Sequence, residues 1–588
     1  MNVIKTGCGR ARRMPRLPVA PFERSRYIGS VTSVSPSEIR VNLPFATEIS
    51  AAQYAGHAIA RGQVGELVTV EGQGFAVLGR ITEIRLPDHD RLSVEPERED
   101  KGEIANPVGT IRLLGSIDLA TGKASRGIPE PPRVGEYVYV AHPDFIRHAL
   151  DASASTSNRT VQLGYLSGSP DSDISMSAAT IFGRHCAVLG STGGGKSWTT
   201  ARLVEEISRL KGKALLVDPT GEYHELEGAI HVHLGGRRIN DKDMRTFVSF
   251  PHQHLSELDL FALWQPSSGV QAPKLRDALQ SLKLLEIEPS LAEDGCLIKQ
   301  QREKKPINQA LMRNDAKIRA AGAAYNIKRL SAQIARECVN PSGQNYKSWG
   351  GVHEISMNSC VSLCMRIENS VNSEHLKPIF SPDDYMSDVT EIMSEFLRGN
   401  KTVLRVSMQY MPFEHSAREL VINALGRYLL SQAREGAFHD NPLVVVLDEA
   451  HQFLNKTVGD EVNKVQLDAF GLIAKEGRKY GLTSVLATQR PRDVPEDVLS
   501  QVGTLIVHRL INERDQSVVV NASGAIDGSM ASFLPNLGEG EAIIVGSGTV
   551  MPLPVQMYAP TMRPSIQQGE GGSWMREPRA KAPDRTTE

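Results

Sequence analysis

Two kinds of hydrophobic pattern share this chain, and the change between them falls near residue 180. From 27 to 145 apolar and polar residues alternate in short runs: YIGSVTSV, EIRVNL, GELVTVEG, FAVLGRITEIRL, GTIRLLGSIDL and GEYVYVAH, punctuated by Gly, Pro, Asp and Asn. Period-two alternation between turn residues predicts half-buried strands, and several at this spacing predict a small β-barrel. No cluster of polar residues there suggests chemistry, so the region reads as an assembly or docking module.

Beyond residue 180 the apolar runs become continuous. Cys186–Gly190 predicts a buried strand, Lys196 to about Leu210 a helix, and Lys213–Asp218 a second buried strand. That βαβ order predicts an α/β fold, a parallel sheet with helices on both faces. Thr402–Ser407, Leu443–Leu447, Ser484–Ala487, Thr504–His508 and Ala542–Val545 predict further strands of the same kind. Residues 265–395 instead carry helical spacing, as in KLRDALQSLKLLEIE and DAKIRAAGAAYNIKRLSAQIARE, and read as a helical insertion in the sheet domain. Lys299, Arg302, Lys304 and Lys305 make its middle basic, which reads as a solvated helix face in preference to a nucleic-acid contact. The expected organisation is a basic arm (1–20), a barrel (21–150), a sheet core in two parts (151–264 and 396–560) around the insertion (265–395), and a Gly- and Pro-rich tail (561–588) in which Trp574 stands as a lone anchor.

Composition narrows the class. The chain has 588 residues, 40% hydrophobic and 23% charged, which suits a folded protein of several domains at about 150 residues each. Lys and Arg number 66 against 68 Asp and Glu, a net charge of −2, which excludes a uniformly basic nucleic-acid coat but not a local basic lining. No run is apolar enough for a membrane span, and the basic start lacks the apolar core of a secretory signal. The six cysteines are too scattered for a disulfide scaffold, so a reducing cytoplasm is expected. Cys360 and Cys364 read as buried apolar residues rather than zinc ligands.

The candidate chemistry lies at strand tips. Gly190-Ser191-Thr192-Gly193-Gly194-Gly195-Lys196-Ser197 matches the phosphate loop G-x-x-x-x-G-K-S/T, placed after an apolar strand and before a helix. Glycines let successive N–H groups turn inward as an anion nest, and the helix N-terminus adds its dipole. Lys196 would reach the β/γ-phosphates and Ser197 would bind Mg²⁺. Asp448 and Glu449 follow the buried run Leu443–Leu447, on the edge where open α/β sheets bind ligands. Asp448 suits the Mg²⁺ shell and Glu449 a general base for water. Gln489, at the tip of the next strand, can read the γ-phosphate. Arg478 reads equally as a trans-acting arginine finger or as a cation on a helix C-terminus. Asp218 could polarise water or simply cap a turn, and spacing alone assigns Arg184 no role.

A GTPase would carry an Asn-Lys-x-Asp base reader, and Asn455-Lys456-Thr457-Val458 lacks the Asp. Small kinases lack the Asp448-Glu449 pair, the long split between the motifs, and the barrel. ATP hydrolysis coupled to motion is the expectation. An ATP-regulated ring that scaffolds an effector, and a signalling NTPase, are the other readings.

Taken together, Gly190–Ser197, Asp218-Pro-Thr-Gly-Glu-Tyr223, Leu447-Asp-Glu-Ala-His451, Lys475-Glu-Gly-Arg-Lys-Tyr480, Ala487-Thr-Gln-Arg-Pro491 and Arg509-Leu510 resemble the HerA family of the FtsK–HerA motor ATPases. The β-rich region resembles that family's barrel. The resemblance implies a RecA-like core, a homo-hexamer with ATP and Mg²⁺ between subunits, and double-stranded DNA in the channel. It implies Lys196 and Ser197 on phosphates and Mg²⁺, Glu449 with Asp448 on water, Gln489 as sensor, Arg478 as the finger in trans, and Asp218 and Arg184 as polar positions at the nucleotide. It also implies a partner effector, the NurA nuclease, another nuclease, or a sirtuin-like NAD-hydrolysing subunit in phage defence, with the barrel as the dock. It transfers no role to 265–395.

Overall fold

The computed structural model describes residues 17–44, 52–54, 57–59, 62–86, 106–151, 159–238, 243–343, 346–412, 414–454, 456–524, 526 and 528–564. Most of the basic arm, Asn455, and the tail with Trp574 therefore lie outside the described residues. The chain divides into two compact units: residues to Glu206 with Ala487–Ala559, and Ile207–Leu486 with residues from Pro560 onward.

The first unit opens with the barrel. Its strands run in the order Glu38–Asn42, Tyr27–Val34, Tyr137–Val140, Leu67–Glu71, Phe75–Arg85, Val108–Asp118. Glu38–Asn42 also pairs with Val108–Asp118, which closes the six-stranded ring and leaves Ala124–Arg126 as an appended strand. Closure removes the free edges that would otherwise template aggregation. One side chain of each alternation points inward: Ile39 and Val41, Val68 and Val70, Val77, Ile111 and Val138 form the core. Within this unit Arg126 Nε donates to the Thr549 carbonyl at 2.8 Å, and the buried Arg80 stacks over Phe533 at 5.2 Å, so the barrel is tied to the C-terminal segment.

The remaining strands of the unit run Ser169–Ser177, Thr160–Leu166, Leu553–Met557, Glu541–Gly546, Val502–Val507, His185–Leu189. Only the last two pair in parallel. The expectation that Ala542–Val545 belongs to a parallel set is corrected: Glu541–Gly546 runs antiparallel to Val502–Val507. A parallel partner needs a crossover to the far edge. Here the chain leaves Val507 on the phosphate-loop edge and is still there at Gly540, which packs against Gly195, so the next strand must run back. The hairpin 160–177 escaped the sequence reading because in SPDSDISMS only Ile174 and Met176 are large apolar residues on the buried face, too short an alternation to stand out among polar neighbours.

In the second unit the strands run Leu482–Thr488 (the division falls within this one), Leu443–Leu447, Lys213–Asp218, Val403–Ser407, Ile230–Leu234, Thr246–Ser249, Ser387–Asp388, all parallel. Every residue of Leu443–Leu447 and Val403–Ser407 is buried; the first is an unbroken apolar run for that reason, whereas the second also buries Arg405 and Ser407. Ile230–Leu234 was missed because His231 and His233 interrupt its pattern.

The insertion is helical, with helices at Glu257–Trp264, Gln271–Ile287, Lys304–Arg313, Leu330–Glu337, Glu354–Val371 and Val389–Arg398. The first begins at a capping box between Ser256 and Asp259. Leu275, Leu282, Ile334, Leu363 and Ile367 are buried. The reading of the basic middle as a solvated face fails at Lys299. Its Nζ donates to Glu337 Oε2 at 2.6 Å and lies 5.7 Å from the Trp349 ring centroid, with Glu337 1% exposed. Glu337 Oε1 also accepts from Ser281 and Gln333. A carboxylate removed from water needs such compensation, and Lys299 supplies the charge. Arg302 and Lys305 are exposed.

Candidate nucleotide site

The phosphate loop joins the strand His185–Leu189 to the helix Lys196–Arg209. Gly193 and Gly195 take φ of 74° and 106°, a backbone that L side chains rarely adopt. A Cβ at Gly193 would meet nothing within 4 Å, whereas one at Gly195 would strike Gly540 backbone at 3.1 Å. The loop is thus open at its crest and tightly backed beneath. Gly194 N donates to Ser191 O at 3.1 Å and Thr199 N to Gly195 O at 2.9 Å, which closes the turn into the helix. Lys196 is buried at the helix start and Ser197 follows half-buried. This cradle of alternating left-handed glycines ahead of a helix N-terminus fits ATP phosphates, and the Ser197 hydroxyl beside it has the oxygen chemistry that Mg²⁺ takes.

Gln489, expected at a strand tip, meets this loop: the Thr192 hydroxyl donates to its Oε1 at 2.6 Å. Beneath the loop lies His508, which the sequence reading passed over. It ends the strand neighbouring His185–Leu189, and its N–H donates to Leu189 O at 2.7 Å. Arg184 is not brought to the loop. It precedes the strand whose other end carries the loop, is exposed, and packs its side chain over Gly503.

The second unit holds the other candidates. Asp218 is fully buried at the end of Lys213–Asp218, accepts N–H from Gly221 at 2.7 Å and Tyr223 at 3.1 Å, and forms an ion pair with the buried Arg405 at 2.7 Å. Within its own unit it does what a turn cap does, tied to a cation that sequence reading missed. Arg405 sits mid-strand in an apolar run, and only its charge against the surrounding Val403–Ser407 pattern could have flagged it.

Asp448 and Glu449 follow Leu443–Leu447, and Asp448 N donates to Val217 O at 3.2 Å. Glu449 has φ 47°, in the left-handed region, an expensive backbone for a non-glycine residue. Its carboxylate lies 3.3 Å from His451 Nδ1. Arg478 is exposed on the short turn Gly477–Tyr480 that ends the helix Ala469–Glu476, and Gly481 at φ 75° stops it there.

A parallel α/β core with a glycine-lined phosphate loop ahead of a helix, and a carboxylate pair on a buried strand tip, defines a P-loop ATPase. A model described as helicase HerA, central domain matches residues 161–367, and one described as helicase HerA-like C-terminal matches 425–569. The chain belongs to the HerA helicase family. It is 26% identical to the DNA double-strand break repair helicase HerA of Pyrococcus furiosus, covering 79% of this chain and 80% of that protein. It is 24% identical to the protein of the same name from Sulfurisphaera tokodaii, covering 84% and 88%. Among solved structures, VirB4 of Thermoanaerobacter pseudethanolicus is similar at 14% identity with a TM-score of 0.45, covering 69% of this chain and 98% of that one.

Proposed function

We propose that this chain is the subunit of a homo-hexameric motor that hydrolyses ATP with Mg²⁺ to drive double-stranded DNA through its ring. The observation that carries the reading is the phosphate loop, open at its crest and bonded to Gln489, in a chain of the HerA family. Relatives named as DNA double-strand break repair helicases, aligned over most of both chains, support DNA as the substrate.

ATP, when bound, supplies the phosphoanhydride bond, and Mg²⁺ offsets its charge. The chain's residues do the rest. Backbone N–H groups of 190–197 and Lys196 hold the phosphates. The Ser197 hydroxyl and Asp448 carboxylate would hold Mg²⁺ or its water shell. Glu449 orients a water and takes its proton. Gln489 senses the γ-phosphate through the Thr192 side of the loop. Arg478, exposed and fixed by the turn at Gly481, serves the neighbouring protomer as a finger. A partner enzyme, a nuclease of the NurA kind or another, or a sirtuin-like NAD hydrolase, completes the system in DNA-end processing or phage defence. Six barrels on one ring would give that partner a multivalent dock. The cysteines Cys186, Cys296, Cys338, Cys360 and Cys364 are free, which suits a reducing cytoplasm, and among the described residues no helix is long and apolar enough to cross a membrane.

The test is steady-state ATP hydrolysis by the full chain with and without linear double-stranded DNA. Stimulation by DNA, abolished in Lys196→Ala, supports the motor. Hydrolysis indifferent to DNA at every length, by a ring that still forms, would reject it.

A further inference from the structure

His508 occupies the space that the phosphate loop wraps around. A Cβ at Gly190 would lie 2.7 Å from His508 Cβ, one at Gly194 3.5 Å from the same atom, and one at Gly195 3.3 Å from His508 Cε1. Three loop glycines thus pack on one side chain; Gly190 has no room for a Cβ against it, Gly195 has little beside the ring, and Gly194 lies at ordinary contact distance. The ring is 0% exposed and both nitrogens are engaged. Nδ1 lies 2.8 Å from the Glu541 carbonyl oxygen, and Nε2 lies 2.9 Å from Thr199 Oγ1. A carbonyl can only accept, so Nδ1 carries the proton and donates. Nε2 then has a lone pair, and the Thr199 hydroxyl donates to it. Burial, opposed by hydrogen bonding to the Glu541 and Gly194 backbone, pushes the imidazole down to about 4, which keeps the ring neutral at ordinary pH.

The two bonds lead to two different parts. Thr199 lies in the first turn of the helix Lys196–Arg209, and its own N–H closes on Gly195. Glu541 begins the returning strand just after Gly540, whose backbone backs Gly195, and its carboxylate accepts from Gly538 N at 2.7 Å and Ser167 Oγ at 2.5 Å.

We propose that His508 is a positioning residue for nucleotide binding: a neutral ring that clamps the floor of the phosphate loop between the Lys196 helix and the Gly538–Glu541 turn, and so holds the nest in its anion-binding shape. It touches no substrate and acts through Gly190, Gly194, Gly195 and Thr199. The proposal rests on the ATPase reading and adds to it a residue on a strand tip outside every motif.

The experiment measures, on the full chain, the Kd of a fluorescent ATP analogue together with kcat and KM for ATP. The variants are His508→Ala, His508→Gln, His508→Asn, Thr199→Val and the Gln/Val double. Gln places an acceptor near the Nε2 position and Asn a donor near the Nδ1 position, so each keeps one of the two bonds. Each buried hydrogen bond contributes about a tenfold effect at most, so His508→Ala should weaken analogue binding by roughly tenfold or more and raise KM in step, with kcat at saturation changed far less. Gln should recover part of that loss, and the recovery should vanish when Thr199→Val is added. Thr199→Val alone, which leaves the ring and its volume in place, should weaken binding by roughly threefold to tenfold and keeps the test alive if the Ala chain does not fold. Wild-type Kd and KM in folded Ala and Thr199→Val chains would overturn the proposal. So would Gln and Asn variants as weak as Ala, since the ring would then matter only as filler. If the wild-type chain neither binds the analogue nor turns over ATP, and Lys196→Ala matches it, the ATPase reading falls instead.

Discussion

Asp218 and His508 show how a single side chain gains its meaning from burial. Asp218 and Arg405 are 0% and 1% exposed at 2.7 Å, so removing one partner strands the other charge out of water. Asp218→Ala should cost about 3–5 kcal/mol of stability in chemical denaturation. Lys196→Ala, at the buried start of the helix that follows the loop, should end hydrolysis while costing less stability than Asp218→Ala. That contrast separates a residue whose role is structural from one whose role is nucleotide binding, and Asp218→Ala would instead behave like Lys196→Ala if Asp218 served chiefly at the phosphates. His508 carries a pH signature as well. Its pKa falls from 6.5 to about 4 by burial, so the unfolded chain takes up a proton between those values and the folded chain does not. Stability should therefore fall as pH drops from about 6.5 toward 4, by up to roughly 3 kcal/mol from this group. Thermal unfolding of His508→Gln should show a shallower loss over that window. Neither Arg405 nor His508 was legible in the sequence, because each is a lone polar residue in or after an apolar strand, and only the neighbouring strand reveals what it faces.

At the scale of elements, legibility followed burial. Lys213–Asp218 and Leu443–Leu447 could be placed to the residue because strands covered on both faces must be apolar throughout. The phosphate loop was legible because its glycines answer a backbone demand that other residues cannot meet. The polar hairpin 160–177 was not, and neither was the direction of Glu541–Gly546, which depends on which edge the chain has reached rather than on its composition. The insertion was recognised by its period, yet period could not tell that Lys299 turns inward to Glu337. Lys299→Ala should loosen the insertion by about 3–5 kcal/mol, read as faster hydrogen exchange in the helices Gln271–Ile287 and Leu330–Glu337. Unchanged exchange there would mean that Glu337 is satisfied by Ser281 and Gln333 alone. Gly195→Ala should weaken analogue binding at least about tenfold, since φ 106° strains an alanine and the Gly540 backbone at 3.1 Å crowds its methyl.

For the whole molecule, the family places this chain among HerA helicases, and the proposed motor asks more of it than one protomer supplies. Arg478 is exposed on a rigid turn, a cation held out to solvent where a neighbour could use it. In the proposed motor Glu449, whose backbone sits at φ 47°, would supply the complementary half. The measurement that bears most directly on the proposal mixes two inactive chains, Lys196→Ala and Arg478→Ala, and follows ATP turnover in the presence of double-stranded DNA. A site shared between protomers predicts that each protein alone is silent and that mixed rings recover turnover at junctions pairing an intact loop with an intact arginine. Full turnover by the Arg478→Ala protein alone would contradict it.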